Sequence, residues 1–206
     1  PGYPRGQPPN QADRYVCHST ERESSGMSSA PTIAVFAPAL ILHVEIHDAA
    51  DGEPEIHLHP GGQGYWIARM VQALGARAVP CVCIGGEPGN ALRSLIEADG
   101  FEAWLTETSR PTSVHIDDRR DGGEQRRIVE TPIAPLDRHE VDELYSSIIG
   151  ASIGAGSCVV AGAQLAPVLP DEVFGRLVRD LRANGVQILV ASFEASRVAT
   201  VPLNAN

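Results

Sequence analysis

Apolar runs of strand length alternate along this chain with segments of helical periodicity. Thr32 to Pro38, Ala76 to Ile84, Cys158 to Ala163 and Gln187 to Ser192 are nearly continuous apolar stretches, the pattern of strands buried on both faces. Phe101 to Thr106 adds a further strand candidate. Between them lie helical spacings: Trp66, Ile67, Met70, Val71 and Leu74; Ala91, Leu92, Leu95 and Ile96; Val141, Leu144, Tyr145 and Ile148; and Val173, Phe174, Leu177, Val178 and Leu181. The first set predicts one buried helical stripe. Gly75, Gly100 and Asn184-Gly185 stop three of these helices, Asp137 and Glu140 have capping-box spacing, and Pro170-Asp171 opens the last. Single helices alternating with strands predict a doubly wound, mostly parallel α/β sheet.

Two stretches break that rhythm. From Leu40 to His47 and from Glu55 to His59 the residues alternate strictly, with Leu42, Val44, Ile46, Ile56 and Leu58 on one face and His43, Glu45, His47, His57 and His59 on the other. Their turn contains Asp51-Gly52, so they predict a hairpin at about 40–59. Thr112 to Asp118 and Gln125 to Thr131, around Arg120-Asp121-Gly122-Gly123, predict a second at about 112–131. The two hairpins are expected to form a separate small sheet beside the main one.

The first hairpin delivers the chain to Pro60-Gly61-Gly62-Gln63-Gly64, a turn that opens a helix. Glycines there permit tight approach, and a helix start offers unpaired N–H groups to an anion or a sugar oxygen. A plain packed turn is the competing interpretation. The His43, His47, His57, His59 face, with Glu45 and Glu55, could gather ligands for one metal ion if the strands pair around Asp51-Gly52, but a solvated or interfacial strand face is preferred and no metal ligand is assigned. Arg119, Arg120, Arg126 and Arg127 are balanced by Asp117, Asp118, Asp121 and Glu124 and are taken as a solvated loop tip.

The composition narrows the function. A formal charge of −10 argues against nucleic acid or an anionic membrane surface as partner, and no segment approaches membrane-span length. All 16 basic residues are arginine, which excludes a P-loop lysine or a Schiff base. The four cysteines show no C-x-x-C spacing and fit reduced thiols in a cytoplasm. Residues 1–30 are rich in Pro, Ser, Gly and charge without an apolar pattern and are expected to form a disordered tail, with Met27 as the expected biological start. Residues 31–206 are expected to form one domain.

Five segments, in order, carry a resemblance: Pro38-Ala39-Leu40 after the first strand; Gly61-Gly62-Gln63-Gly64 with Ala68-Arg69 and Leu74-Gly75; Ile84-Gly85-Gly86 with Gly89; Ser109-Arg110; and Val159-Val160-Ala161-Gly162. From about Ile33 to Ser192 this arrangement resembles the ribokinase-like sugar kinases, in particular the phosphofructokinase B branch with 1-phosphofructokinase and tagatose-6-phosphate kinase. The resemblance implies a β-hairpin lid over a sugar, often a dimer contact, and transfer of the ATP γ-phosphate to a sugar phosphate with Mg²⁺. It places substrate-binding groups at Gly61, Gly62, Gly64 and Arg110.

The family's side-chain chemistry carries over poorly. Its N-P-A-x-D has Ala37 and Ile41 in place of the asparagine and aspartate; its G-G-K-G-x-N has Gln63 and Trp66; its S-G-S is Ala161-Gly162-Ala163. The sugar pocket is therefore expected to be filled by apolar side chains. Gly154-Ala155-Gly156-Ser157 imitates the family's G-A-G-D motif without its aspartate and is taken as a loop. The nucleotide-binding part of the family fold is expected to be missing. No catalytic residue is assigned, and no cofactor is expected in this chain. The resulting expectation is a sugar-phosphate kinase homologue inactive as this chain, with a non-catalytic binding or dimerising module as the alternative.

Overall fold

The structure is a computed structural model and describes residues 30–120, 124–161 and 168–191. Residues 1–29 of the expected disordered tail, Asp121 to Gly123, Ala163 and the residues after Ala191 lie outside the described residues. In chain order the elements are β1 (Thr32–Ala37), β2 (Ile41–Asp48), β3 (Pro54–Gly61), α1 (Gln63–Ala73), β4 (Arg77–Ile84), α2 (Gly86–Ala98), β5 (Trp104–Glu107), β6 (Ser113–Asp118), β7 (Arg126–Glu130), α3 (Arg138–Ala155), β8 (Ser157–Ala161), α4 (Asp171–Ala183) and β9 (Gln187–Ala191).

The apolar runs form a five-stranded sheet of order β5-β4-β1-β8-β9, parallel throughout. Strand geometry turns successive side chains to opposite faces. Ala34 and Phe36 of β1 therefore join the core under α3 and α4, while Val35 and Ala37 join the one under α1 and α2. This is the doubly wound α/β arrangement expected from the sequence, with β5 starting later than expected: Phe101 packs into the core from the preceding loop, and pairing with β4 begins at Trp104.

The alternating segments form a four-stranded sheet of order β3-β2-β6-β7. Within each hairpin the strands are antiparallel, and β2 runs parallel to β6 at the junction between hairpins. His43 pairs with His59, Glu45 with His57 and His47 with Glu55, the register expected from a turn at Asp51-Gly52. The small sheet meets the main body through Leu42, Val44 and Val114, which pack with Leu92 and Ile96 of α2.

Two expectations are corrected. On α1 the buried residues are Gly64, Tyr65, Ala68 and Val71, whereas Trp66, Met70 and Leu74 are 56%, 55% and 79% exposed. The helix lies so close to β1 that a β-carbon on Gly64 would come within 2.8 Å of the Ala37 Cα, so the side with small residues faces the sheet. Gly154-Ala155-Gly156-Ser157 is no loop: α3 runs through Ala155 and ends at Gly156 in the left-handed conformation (φ 74°) before β8 begins at Ser157.

Candidate functional site

Each glycine of the turn between β3 and α1 answers to a different neighbour. A β-carbon on Gly61 would collide with the His43 imidazole, one on Gly62 would lie 2.7 Å from the Ala39 carbonyl oxygen, and one on Gly64 would strike Ala37. Gly62 also has φ 104°, open to glycine at little cost. The turn is thus wedged between the end of β1 and the start of β2. No side chain caps α1, whose first turn leaves its backbone N–H groups without capping side chains.

Arg110 lies on the loop between β5 and β6. Its carbonyl accepts the Thr108 hydroxyl (2.9 Å) and packs where a side chain on Gly85 would go, and its side chain is exposed. Beside it opens a small cleft of about 30 Å³ lined by Pro38, Ala39, Leu40, Arg110, Thr112 and Glu140, among others. Two segments singled out in the sequence, Pro38-Ala39-Leu40 and Ser109-Arg110, therefore meet at one cleft. Gly61, Gly62 and Gly64 do not line it; Ala39 links them to it by touching the turn at Gly62.

Sequence reasoning saw Glu140 only as half of a capping box, which it is: its carboxylate accepts the Asp137 N–H (2.8 Å) while Asp137 accepts the Glu140 N–H (2.9 Å). The same buried carboxylate also accepts the Ser109 N–H (2.6 Å) and so pins the loop that carries Arg110. Burial opposes its ionisation, but the N–H groups of Ser109 and Asp137 outweigh that and hold the carboxyl below its ordinary range. No spacing links residues 31 positions apart, so this bond had no sequence signal.

The substituted positions divide. Ile41 is 3% exposed and pairs with both Gly61 and Ser113, so its side chain is part of the packing. Ala161 is buried at the end of β8. Trp66 is exposed and does not fill a closed pocket. The Tyr65 hydroxyl donates to Asp99 (2.5 Å), which also accepts Arg69 (2.9 Å); burial first and this bond second push the phenol up to about 12. Tyr65 thus ties α1 to the end of α2 and is not free for a ligand.

The polar face of the small sheet is an ordered layer. Its rows run His59, His43, His115, Glu130 and His57, Glu45, Asp117, Arg127 across β3, β2, β6 and β7. Arg119 donates to Glu45 (2.9 Å), Arg127 pairs with Asp117, and Arg120 and Arg126 pair with Asp118 at 2.9 and 3.0 Å. Asp117 and Asp118 are buried, whereas Arg120 and Arg126 are exposed, so these tip arginines face solvent while pairing with the buried Asp118 carboxylate, on the face opposite to Asp117. Among the described residues no group of three or more His, Cys, Asp or Glu side chains is placed to hold a metal ion. Likewise no described helix is long and apolar enough to cross a membrane.

No protein-family model matches the chain. It is 28% identical over 137 residues to the ATP-dependent 6-phosphofructokinase isozyme 2 of Escherichia coli strain K12, a match covering 65% of this chain and 42% of that enzyme. The crystal structure of the E. coli phosphofructokinase-2 in complex with fructose-6-phosphate is similar in fold, with TM-score 0.66 at 24% identity, covering 84% of this chain and 58% of that one. The ribokinase of Giardia lamblia is similar with TM-score 0.59 at 14% identity, covering 81% and 56% respectively. The chain thus spans less than half the length of the curated relative it matches. Over the stretch that it shares with them, this chain is a homologue of the phosphofructokinase B family and has the ribokinase-like fold.

Proposed function

We propose that this chain is a sugar-phosphate-binding lid and sheet unit derived from the phosphofructokinase B kinases, and that by itself it does not transfer a phosphoryl group. Arg110 and the backbone of Gly61, Gly62 and Gly64 are its substrate-contacting groups. An arginine presents a planar fork that suits a phosphate by bidentate charge-assisted bonds. The observation that carries the loss of activity is Ile41: an aliphatic side chain, 3% exposed, stands where the resemblance implies the aspartate that holds sugar hydroxyls. Phosphoryl transfer is mostly positioning plus charge stabilisation, so an acceptor that is not held is not activated. Gly154-Ala155-Gly156-Ser157, which imitates the family motif that serves the nucleotide and Mg²⁺, lacks its aspartate. No step is drawn through either.

The test is ATP consumption by the full chain with fructose 6-phosphate, fructose 1-phosphate or tagatose 6-phosphate and Mg²⁺, alongside calorimetric titration of each sugar phosphate. Binding that is lost in Arg110→Ala, without turnover, supports the proposal. Turnover above background that Arg110→Ala abolishes overturns it.

A second reading, a dimerising module, is favoured by the part of the small sheet's aliphatic face that extends beyond its contact with α2. Leu58, Val44, Ile116 and Val129 form one aliphatic row across all four strands, and Ile56, Leu58 and Val129 remain 60%, 47% and 40% exposed. An apolar sheet face of this kind asks to be covered, and a second copy of the same face covers it with matching chemistry.

A further inference from the structure

Each of three adjacent strands places one imidazole at the same level of the small sheet. His43 on β2 stacks on His59 of β3 with centroids 5.1 Å apart and planes 4° from parallel, and meets His115 of β6 edge-on, also at 5.1 Å. Behind the central ring lies Gly61, so His43 cannot retreat toward the glycine turn.

We propose that the His59, His43, His115 row is a proton-sensitive latch, closing β3, β2 and β6 together while its rings are neutral and loosening them when more than one is protonated. The latch concerns the cohesion of the small sheet and stands whether or not this chain binds a sugar phosphate.

The surroundings decide the sign. Facing the row are Glu45 and His47 on β2, Glu55 and His57 on β3, Asp117 on β6 with Arg119 just after it, and Arg127 and Glu130 on β7. Each imidazole has a carboxylate nearby but beyond hydrogen-bond reach: His59 and Glu45 at 3.7 Å, His115 and Glu130 at 3.8 Å, His43 and Asp117 at 3.9 Å. Arginine engages each of these carboxylates, Glu45 by Arg119 and both Asp117 and Glu130 by Arg127, and so offsets much of their pull on an added proton, although Oδ2 of Asp117 is buried without a hydrogen-bond partner 3.9 Å from His43 Nδ1. The Nδ1 atom of His115 is buried without a hydrogen-bond partner, and a doubly protonated ring there would bury a charged N–H with no acceptor. Adjacent imidazolium rings at this spacing also repel one another directly.

The titration behaviour agrees. Burial first, and then the rings of His59 and His115, hold His43 below the ordinary histidine value of 6.5; burial and then Arg127 do the same for His115. Both groups are depressed in the folded chain. Above pH 6.5 folded and unfolded chains are alike in protonation; as pH falls through and below that value the unfolded chain takes up protons that the sheet resists, and stability is lost.

The experiment is hydrogen exchange of the full chain at about pH 7.5 and about pH 5.8, corrected for intrinsic exchange rates. At the lower pH the amides of β2, β3 and β6 should lose protection by about tenfold more than those of β1 and β4. His43→Phe, a neutral ring of similar outline, should remove most of that difference. Equal loss in both sheets, no loss in either, or the same selective loss in His43→Phe overturns the latch. Should His43→Phe not fold, the comparison of the two sheets in the unaltered chain still decides, because selective loss is expected only of a latch located in the small sheet.

Discussion

The imidazole of His43 occupies the space that a β-carbon on Gly61 would need. Gly61 lacks a positive φ, so contact, and not backbone strain, is what keeps the position a glycine. The polar face of the small sheet and the turn that starts α1 are therefore one packing unit. Gly61→Ala should destabilise the chain by roughly 1–3 kcal/mol through overpacking. His43→Ala in the same chain should recover much of that loss, a coupling readable in denaturant unfolding of the two single variants and the double.

Returning the family's aspartate is predicted to harm this chain. Ile41→Asp puts a carboxylate at a position 3% exposed, with no cation described beside it, and should cost about 3 kcal/mol or more. Combined with Trp66→Asn it should still give no turnover. Thermal unfolding and the ATP-consumption assay check the two halves of this prediction; wild-type stability together with measurable turnover would refute both.

Glu140 should control the loop bearing Arg110. Glu140→Ala removes an acceptor shared by the Ser109 and Asp137 N–H groups and should cost roughly 1–3 kcal/mol. Sugar-phosphate affinity should fall with it, though Arg110 itself is untouched. Because the folded carboxyl is held below the ordinary value of 4.5, its contribution is full above that pH and is lost as pH falls from there through the lower folded value. Glu140→Gln should accordingly flatten the acid limb of a stability-against-pH profile.

The aliphatic face of the small sheet should mediate self-association. Leu58→Glu alters a residue already 47% exposed, so it should change monomer stability by no more than about 0.5 kcal/mol. It should nevertheless shift the chain from dimer to monomer in size exclusion with light scattering. An unaltered chain that stays monomeric at high micromolar concentration rules out this face as a dimer contact.

Local chemistry is legible in the amino-acid sequence alone. Alternation places the histidines on one face and sets their pairing across Asp51-Gly52, and the Asp137 and Glu140 spacing marks the start of α3. The α/β rhythm and the segments Pro38-Ala39-Leu40 and Ser109-Arg110 point to one fold, in which they share a cleft. In each case the information lies within a few residues of chain, where backbone geometry alone relates them.

What only the tertiary structure decided depends on contacts between distant segments. On helix α1 periodicity predicts a single stripe that includes Trp66, Met70 and Leu74, but the close approach of Gly64 to Ala37 turns the Gly64, Ala68 and Val71 side to the sheet and leaves those three exposed. The histidine row exists because β2 runs parallel to β6, a pairing between strands more than sixty residues apart that brings His115 beside His43. Glu140 acquired its second role in the same way, from a loop 31 residues earlier in the chain. Hydrophobic spacing says which faces are buried, but steric fit between elements determines what they are buried against, and that fit is a property of the assembled fold.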